Sequence, residues 1–375
     1  MTGKERILTL LKGQKPDRIP LGFYLVDCDI VSAVIGRKTF VRDKIAQQLA
    51  LWQGRRDEIV ESLGKDTIDF YRKIDICDII THKDSIIPPK NQQWPKASKI
   101  DETTWKDQLG RIYKLSRPGN ELVCVHDPDT EKQYRPENFP EDIDPAGFDQ
   151  TCFDAFNDII DEFSDSRFVL APGYLYAMVL LGGMEKGLME YIANPHLVKA
   201  AAKNYLAHDN AISEKIFRPG FSGVLLGEDY GTTRAPIISP QMFREFCLPI
   251  IKARCENVRQ YVDYIFLHCC GNTLPLIDMF IEAGINCLQS LQPQAGMDIE
   301  KLQEEYAGRI IFWGGISAEI LLTGSTADVR KDVKQACQKA KKGGIILGPS
   351  HSIAHGVPYD NFMAMLDEFE KNCKY

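Results

Sequence analysis

The second half of the chain alternates short β-rich runs with longer amphipathic stretches, and this alternation restricts the fold more than any other feature. The runs are FVLAPGY (168–174), GVLLGEDYG (223–231), YIFLHCCG (264–271), INCLQSLQP (285–293), RIIFWGGIS (309–317) and GGIILGPSHSI (343–353). Between them lie stretches such as PLIDMFIEAG, ADVRKDVKQACQKAKKG and ISPQMFREFCLPIIKARCENVRQYV, with apolar residues at helical spacing. Strand–helix–strand repetition builds a parallel sheet with right-handed crossovers. Two further runs in the first half are RIPLGFYLV (18–26) and residues 66–71, which follow a helical pattern over 41–63. The total of eight is the strand number of a TIM barrel. The expected fold is thus α/β, a (β/α)8 barrel spanning 1–375 as a single domain, with a short N-terminal helix stopped at Gly13.

The surplus falls in an inserted segment near 84–150, rich in Pro, Asp and Gly, with Trp94, Trp105 and Pro118-Gly119 as landmarks. It reads as an excursion with short hairpins that could act as a lid or a homodimer contact. Composition narrows the partners. The charged fraction of 26% and hydrophobic fraction of 44% are those of a soluble globular protein. A net charge of −7, with no basic run, disfavours nucleic acid. The longest nearly apolar run, Tyr174 to Met184, is too short to span a bilayer. The N-terminus lacks the apolar core of a signal peptide, so a cytoplasmic location and eleven reduced cysteines are expected.

Active sites of barrels lie at the carboxyl ends of the strands, and the polar residues of this chain concentrate there. Glu228 and Asp229 end one run, His268 and Cys270 the next, and Gln289, Gln292 and Gln294 end or follow the third. Trp313-Gly314-Gly315 and Ser350-His351 end the last two. Successive strand side chains point to opposite faces, so His268 and Cys270 share a face while Cys269 turns to the core. An imidazole and a thiol side by side are half of a zinc site. His351 is the expected third ligand and Glu228 a fourth. The alternatives are His351 as an acid/base group without metal and Glu228 as a carboxylate orienting a ligand histidine. His355 reads as a loop residue, and His82, His126, His196 and His208 have no companions that suggest ligation. The chain has no dinucleotide or Walker loop and no Ser-His-Asp signature.

Several segments resemble the uroporphyrinogen decarboxylase superfamily, especially its corrinoid-dependent methyltransferase branch. They include KERILTLLKGQKPDRIPLGF, LGGMEKGLMEYIANPHLV, GEDYGTTRAPIISPQMFREFCLPIIK, LHCCGNTLPLIDMFIEAGINCLQSLQPQAGMD, IIFWGGIS and GGIILGPSHSIAHGVPYDN. The resemblance implies a (β/α)8 barrel. It also implies a zinc-dependent methyltransferase that moves a methyl group between a small methylated compound, of methyl ether, methylamine or thiol type, and cobalt. The corrinoid (cobalamin) would arrive on a partner protein, as in anaerobic methyl metabolism, because the chain lacks an Asp-x-His-x-x-Gly motif of its own. Glu228 and His351 would be catalytic, and Asp229, Tyr230, Gln292, Trp313 and Tyr176 would contact the methyl compound. Two departures stand out. The arginine-rich segment of the decarboxylases is replaced by GFYLVDCDIVSA, which disfavours a polycarboxylate substrate, and Ser350-His351 stands where some methyltransferases have Gly-Cys. The competing reading is a metal-free decarboxylase acting on a small carboxylate, with His351 and Asp78 handling protons.

Overall fold

The computed structural model describes residues 1–81, 86–92, 94–128, 132–144 and 148–375. In chain order its strands are β1 (Ile79–Thr81), β2 (Ala97–Lys99), β3 (Thr104–Asp107), β4 (Ile112–Ser116), β5 (Glu121–His126) and β6 (Phe168–Pro172). They continue as β7 (Gly223–Gly227), β8 (Ile265–His268), β9 (Cys287–Gln289), β10 (Ile311–Ile316) and β11 (Ile345–Pro349). β1 and β6 to β11 form one seven-stranded parallel sheet in the order β1-β6-β7-β8-β9-β10-β11. The strands are mostly apolar, with polar residues at the carboxyl ends of β1, β8 and β9, because helices cover one face and the curl of the sheet covers the other.

Alternation sorts their side chains into two cores. Phe168, Leu170, Leu225, Phe266, Cys287, Ile311, Trp313 and Ile346 gather in one cluster with Tyr24, Ile79 and the N-terminal helix. The intervening residues, such as Val169, Ala171, Val224, Leu226 and Leu267, join the helices in the other. Period-two alternation thus fills the inside of the curl and its outer coat at once.

The 18–26 run does not form a regular strand. It lies between the two outer strands and touches both: Leu21 bridges Leu347 of β11 and Gly22 bridges Ile79 of β1, each in parallel sense. Gly22 N–H donates to Leu347 O at 2.9 Å, Leu347 N–H to Pro20 O at 2.9 Å and Asp78 N–H to Leu21 O at 2.8 Å. Pro20 has no N–H to contribute, which limits regular pairing. The approach is close enough that a Cβ on Gly348 would lie 2.0 Å from Gly22 O.

The first half departs from expectation again at 66–71. The helical pattern over 41–63 is two helices, as expected, but residues 66–71 continue the second of them and form no strand. In the N-terminal part α1 is Gly3–Leu11, α2 Cys28–Ile35, α3 Lys44–Trp52 and α4 Arg56–Lys73. Gly54, at φ 75°, separates α3 from α4. The β-prone residues TIDFY continue the buried stripe of α4, where Ile59, Leu63, Thr67, Phe70 and Tyr71 recur at helical spacing. The strand follows at 79–81. The insertion is a four-stranded antiparallel sheet, β2-β3-β4-β5, as its hairpin pattern suggests. Trp52 of α3 packs against its Trp105 and Tyr113. Among the described residues no helix is long and apolar enough to cross a membrane.

Candidate metal centre

β8 ends at His268, and the chain turns at once through Cys269, Cys270 and Gly271. Gly271, at φ 83°, lies so close to the loop after β7 that a Cβ there would come within 2.4 Å of Gly231. This contact holds the two strand-end loops together and needs glycine. Three acceptors fix the turn. Asp229 Oδ1 accepts from Cys270 N–H at 2.8 Å, Gln292 Oε1 accepts from Gly271 N–H at 2.7 Å and Gln289 O accepts from Cys269 N–H at 2.6 Å. His268 and Cys270 therefore face one direction, and Cys269 is fully buried in the opposite one.

His268 is almost wholly buried. Its Nδ1 meets Gln289 Oε1, and its Nε2 lies 3.3 Å from Cys270 Sγ. Tyr24 stacks flat on the ring, with centroids 3.8 Å apart and planes 3° apart. His351, two residues beyond β11, sits edge-on to both rings, 5.7 Å from His268 and 6.2 Å from Tyr24. Burial pushes its imidazole below the ordinary histidine value. One donor atom from each of His268, Cys270 and His351 lies within 4.8 Å of the others. In a tetrahedral zinc site with Zn–N of about 2.0–2.1 Å and Zn–S of about 2.3 Å, neighbouring donors stand about 3.5 Å apart. The His268 Nε2–Cys270 Sγ pair at 3.3 Å matches that spacing, and two nitrogens and one sulfur are a donor set that suits zinc; a cavity adjoins them. That cavity, of about 470 Å³, is lined by Tyr24, Leu25, Arg42, Lys44, Gln47, His268, His351 and Ser352.

The other expected site residues divide. Asp229 is exposed and lies beside the cluster, its Oδ1 3.8 Å from His268 Nε2. Gln292 holds the Gly271 turn. Glu228 does not join the donors: its carboxylate accepts from Ala177 N–H at 2.7 Å, Met178 N–H at 3.0 Å and Tyr230 Oη–H at 2.6 Å. Burial pushes it up to about 7 against the lowering effect of those bonds. Tyr230, expected to touch substrate, is 1% exposed and packs edge-on to Phe243. The backbone turns after Gly227, so strand alternation no longer applies at 230. Trp313 is likewise no mouth residue. It is fully buried inside the curl, and its Nε1–H donates to Gly22 O at 3.1 Å, because β10 runs on three residues to Ile316. Tyr176 is half exposed on the loop after β6, against Tyr205.

Asp78 stands at the amino end of β1, away from the strand-end cluster, gripped by Arg6 at 2.5 Å and by Arg18 at 2.9 Å. It also accepts from Leu21 N–H at 2.8 Å. This is a structural tie, so Asp78 cannot share protons with His351. His355 is in a loop, as expected, whereas His82 lies outside the described residues. Tyr24 and Arg42 are site residues to which the pattern of the chain assigns no role, whereas Gln289 is expected on the rim as a strand-end residue. Arg42 is held by Asp27 at 2.5 Å and adopts a left-handed φ of 54°, which brings a cation to the cavity wall. No local signal in the sequence marks it.

The sequence profile of the uroporphyrinogen decarboxylase (URO-D) family matches residues 139–371. No curated protein sequence matches the chain. Among solved structures, a methyltransferase from Methanosarcina mazei has a similar fold, with a TM-score of 0.61 at 15% identity, covering 99% of each chain.

Proposed function

The chain belongs to the uroporphyrinogen decarboxylase family, and from that premise we propose that it is a zinc-dependent methyltransferase of the corrinoid-using kind. One observation carries the reading: His268, Cys270 and His351 converge within 4.8 Å at the carboxyl ends of the strands, beside an open cavity. The methyltransferase of similar fold is consistent with it. Asp229 and Gln292 hold the turn that presents Cys270, Tyr24 and Gln289 hold the His268 ring, and His351 supplies the remaining donor. Zinc in this position would act as a Lewis acid, either lowering the pKa of a bound thiol or polarising the heteroatom of a methyl compound as the methyl group departs. A corrinoid on a separate protein would supply the cobalt: the methyl group would pass as a cation equivalent from the heteroatom to Co(I), the heteroatom keeping the bonding pair and taking up a proton, or, with a thiolate as acceptor, from methyl–Co(III) to sulfur with return of Co(I). The cavity mouth is the place for that partner. Arg42 and Lys44, which line the cavity, suit a methyl compound that carries an anionic group.

The decarboxylase reading loses its proton-handling carboxylate, since Asp78 is at the other end of β1. Metal analysis of chelator-free protein, combined with Co(I)-corrinoid methylation over a panel of methyl donors, tests the proposal. About one zinc per chain, lost in His268→Ala and Cys270→Ala together with methyl transfer, is the expected result. Protein that binds no zinc, with the corrinoid unmethylated by every donor, overturns it.

A further inference from the structure

We propose that Gln289 is the positioning residue that sets the tautomer of His268 and so readies Nε2 to hold a metal. The inference rests on the metal reading above and deepens it by one strand. Gln289 is the last residue of β9, paired in register with His268, and is 0% exposed. Its side-chain oxygen faces His268 Nδ1, its backbone oxygen takes the Cys269 N–H, and its amide nitrogen is buried with no partner.

These facts fit together chemically. His268 Nε2 points at Cys270 Sγ, 3.3 Å away. It can hold a cation only with its lone pair, so the ring proton must sit on Nδ1. An acceptor at Nδ1 enforces that tautomer, and Gln289 Oε1 is that acceptor. With the amide reversed, its N–H would donate to Nδ1 and the ring proton would move to Nε2, directed at the Cys270 sulfur, where no metal could bind. The stacked Tyr24 keeps the ring from turning away from Gln289. The unpartnered amide nitrogen is the cost of this arrangement. A residue selected for packing alone would leave no buried donor unmade. A glutamine, unlike a carboxylate, supplies the acceptor without placing a charge in a fully buried position.

Two readouts test the inference, one of them independent of metal. In metal-free protein labelled with 15N-histidine, long-range proton–nitrogen spectra report which ring nitrogen carries the proton. Wild type and Gln289→Glu should show His268 protonated at Nδ1, and Gln289→Met should show it at Nε2. Zinc competition should then find Gln289→Met weaker by roughly 10–100-fold, with Gln289→Glu close to wild type. A wild-type spectrum with the proton on Nε2 overturns the inference by itself, even if the variants fail to fold. So does a Gln289→Met protein that binds zinc as wild type does. If the tautomer pattern holds but no variant or wild type takes up zinc, the metal reading fails and the positioning of His268 stands.

Discussion

His268 and His351 bring imidazoles and Cys270 a sulfur to one point at the mouth of the curl, and this mixture sets the charge of the centre. With zinc bound as proposed, two neutral nitrogens and one thiolate would leave the divalent ion with a net positive charge, which would favour an anionic or strongly polarised fourth partner. His351→Cys is expected to retain zinc at near wild-type affinity, because a thiolate can take the same corner. His351→Ala should lose at least about 10–100-fold, the size of effect seen even for outer partners of metal ligands; equilibrium zinc competition measures both. A second residue-scale effect belongs to Asp209, which is 5% exposed on the helix Pro195–Ala211 and pushed up to about 7 by burial, against the pull of Arg254. The folded state therefore holds a proton that the unfolded chain releases near pH 4. Stability linked to this group is fully present below about pH 4 and is lost as pH rises to about 7. Asp209→Asn mimics the protonated form. Its stability advantage over wild type should grow across that window to the order of a few kcal/mol, as read from denaturant titrations at several pH values.

At the scale of elements, the contact between the first extended segment and the outer strands is narrow. It consists of isolated bridges at Leu21, Gly22 and Val26, and Gly348 has no room for a side chain against Gly22 O. Gly348→Ala should force the seam apart and cost about 2–4 kcal/mol or more, seen as a lower midpoint in thermal unfolding. Of the strands flanking the seam, β11 was legible as an apolar run opened by Gly343-Gly344, whereas β1, only three residues long, was not, and the strand was expected at 66–71 instead. The seam itself was not, because its partners lie far apart in the chain, Leu21 with Leu347 on one side and Gly22 with Ile79 on the other, and pair through backbone atoms, which leave no side-chain period. α4 was misread for the opposite reason. A few β-prone residues, TIDFY, carry less weight than a buried helical stripe that begins at Ile59.

Across the whole molecule the two ends of the sheet have separate duties. The amino end is tied by Asp78 between Arg6 and Arg18, and the carboxyl end carries the donors. Asp78→Ala would leave two arginines facing a buried gap and should cost about 3–5 kcal/mol, while zinc affinity measured below the melting temperature stays that of wild type. A matched loss of zinc affinity would mean the two ends are coupled. The sequence by itself determined the alternating α/β architecture and brought His268 and Cys270 to one strand end, because strand and helix periods are local; the turn held by Asp229, Gln289 and Gln292 keeps the two side chains on one side. It also brought His351 to the same rim, since strand-end residues of a parallel sheet gather on one side. Only the tertiary structure decided that Trp313 and Tyr230 are core, that the Glu228 carboxylate is bonded to the 177–178 loop, and that Tyr24 and Arg42 stand beside the centre. Those outcomes depend on the register between segments far apart in the chain and on where each strand stops. Close packing settles both, and no local pattern records them.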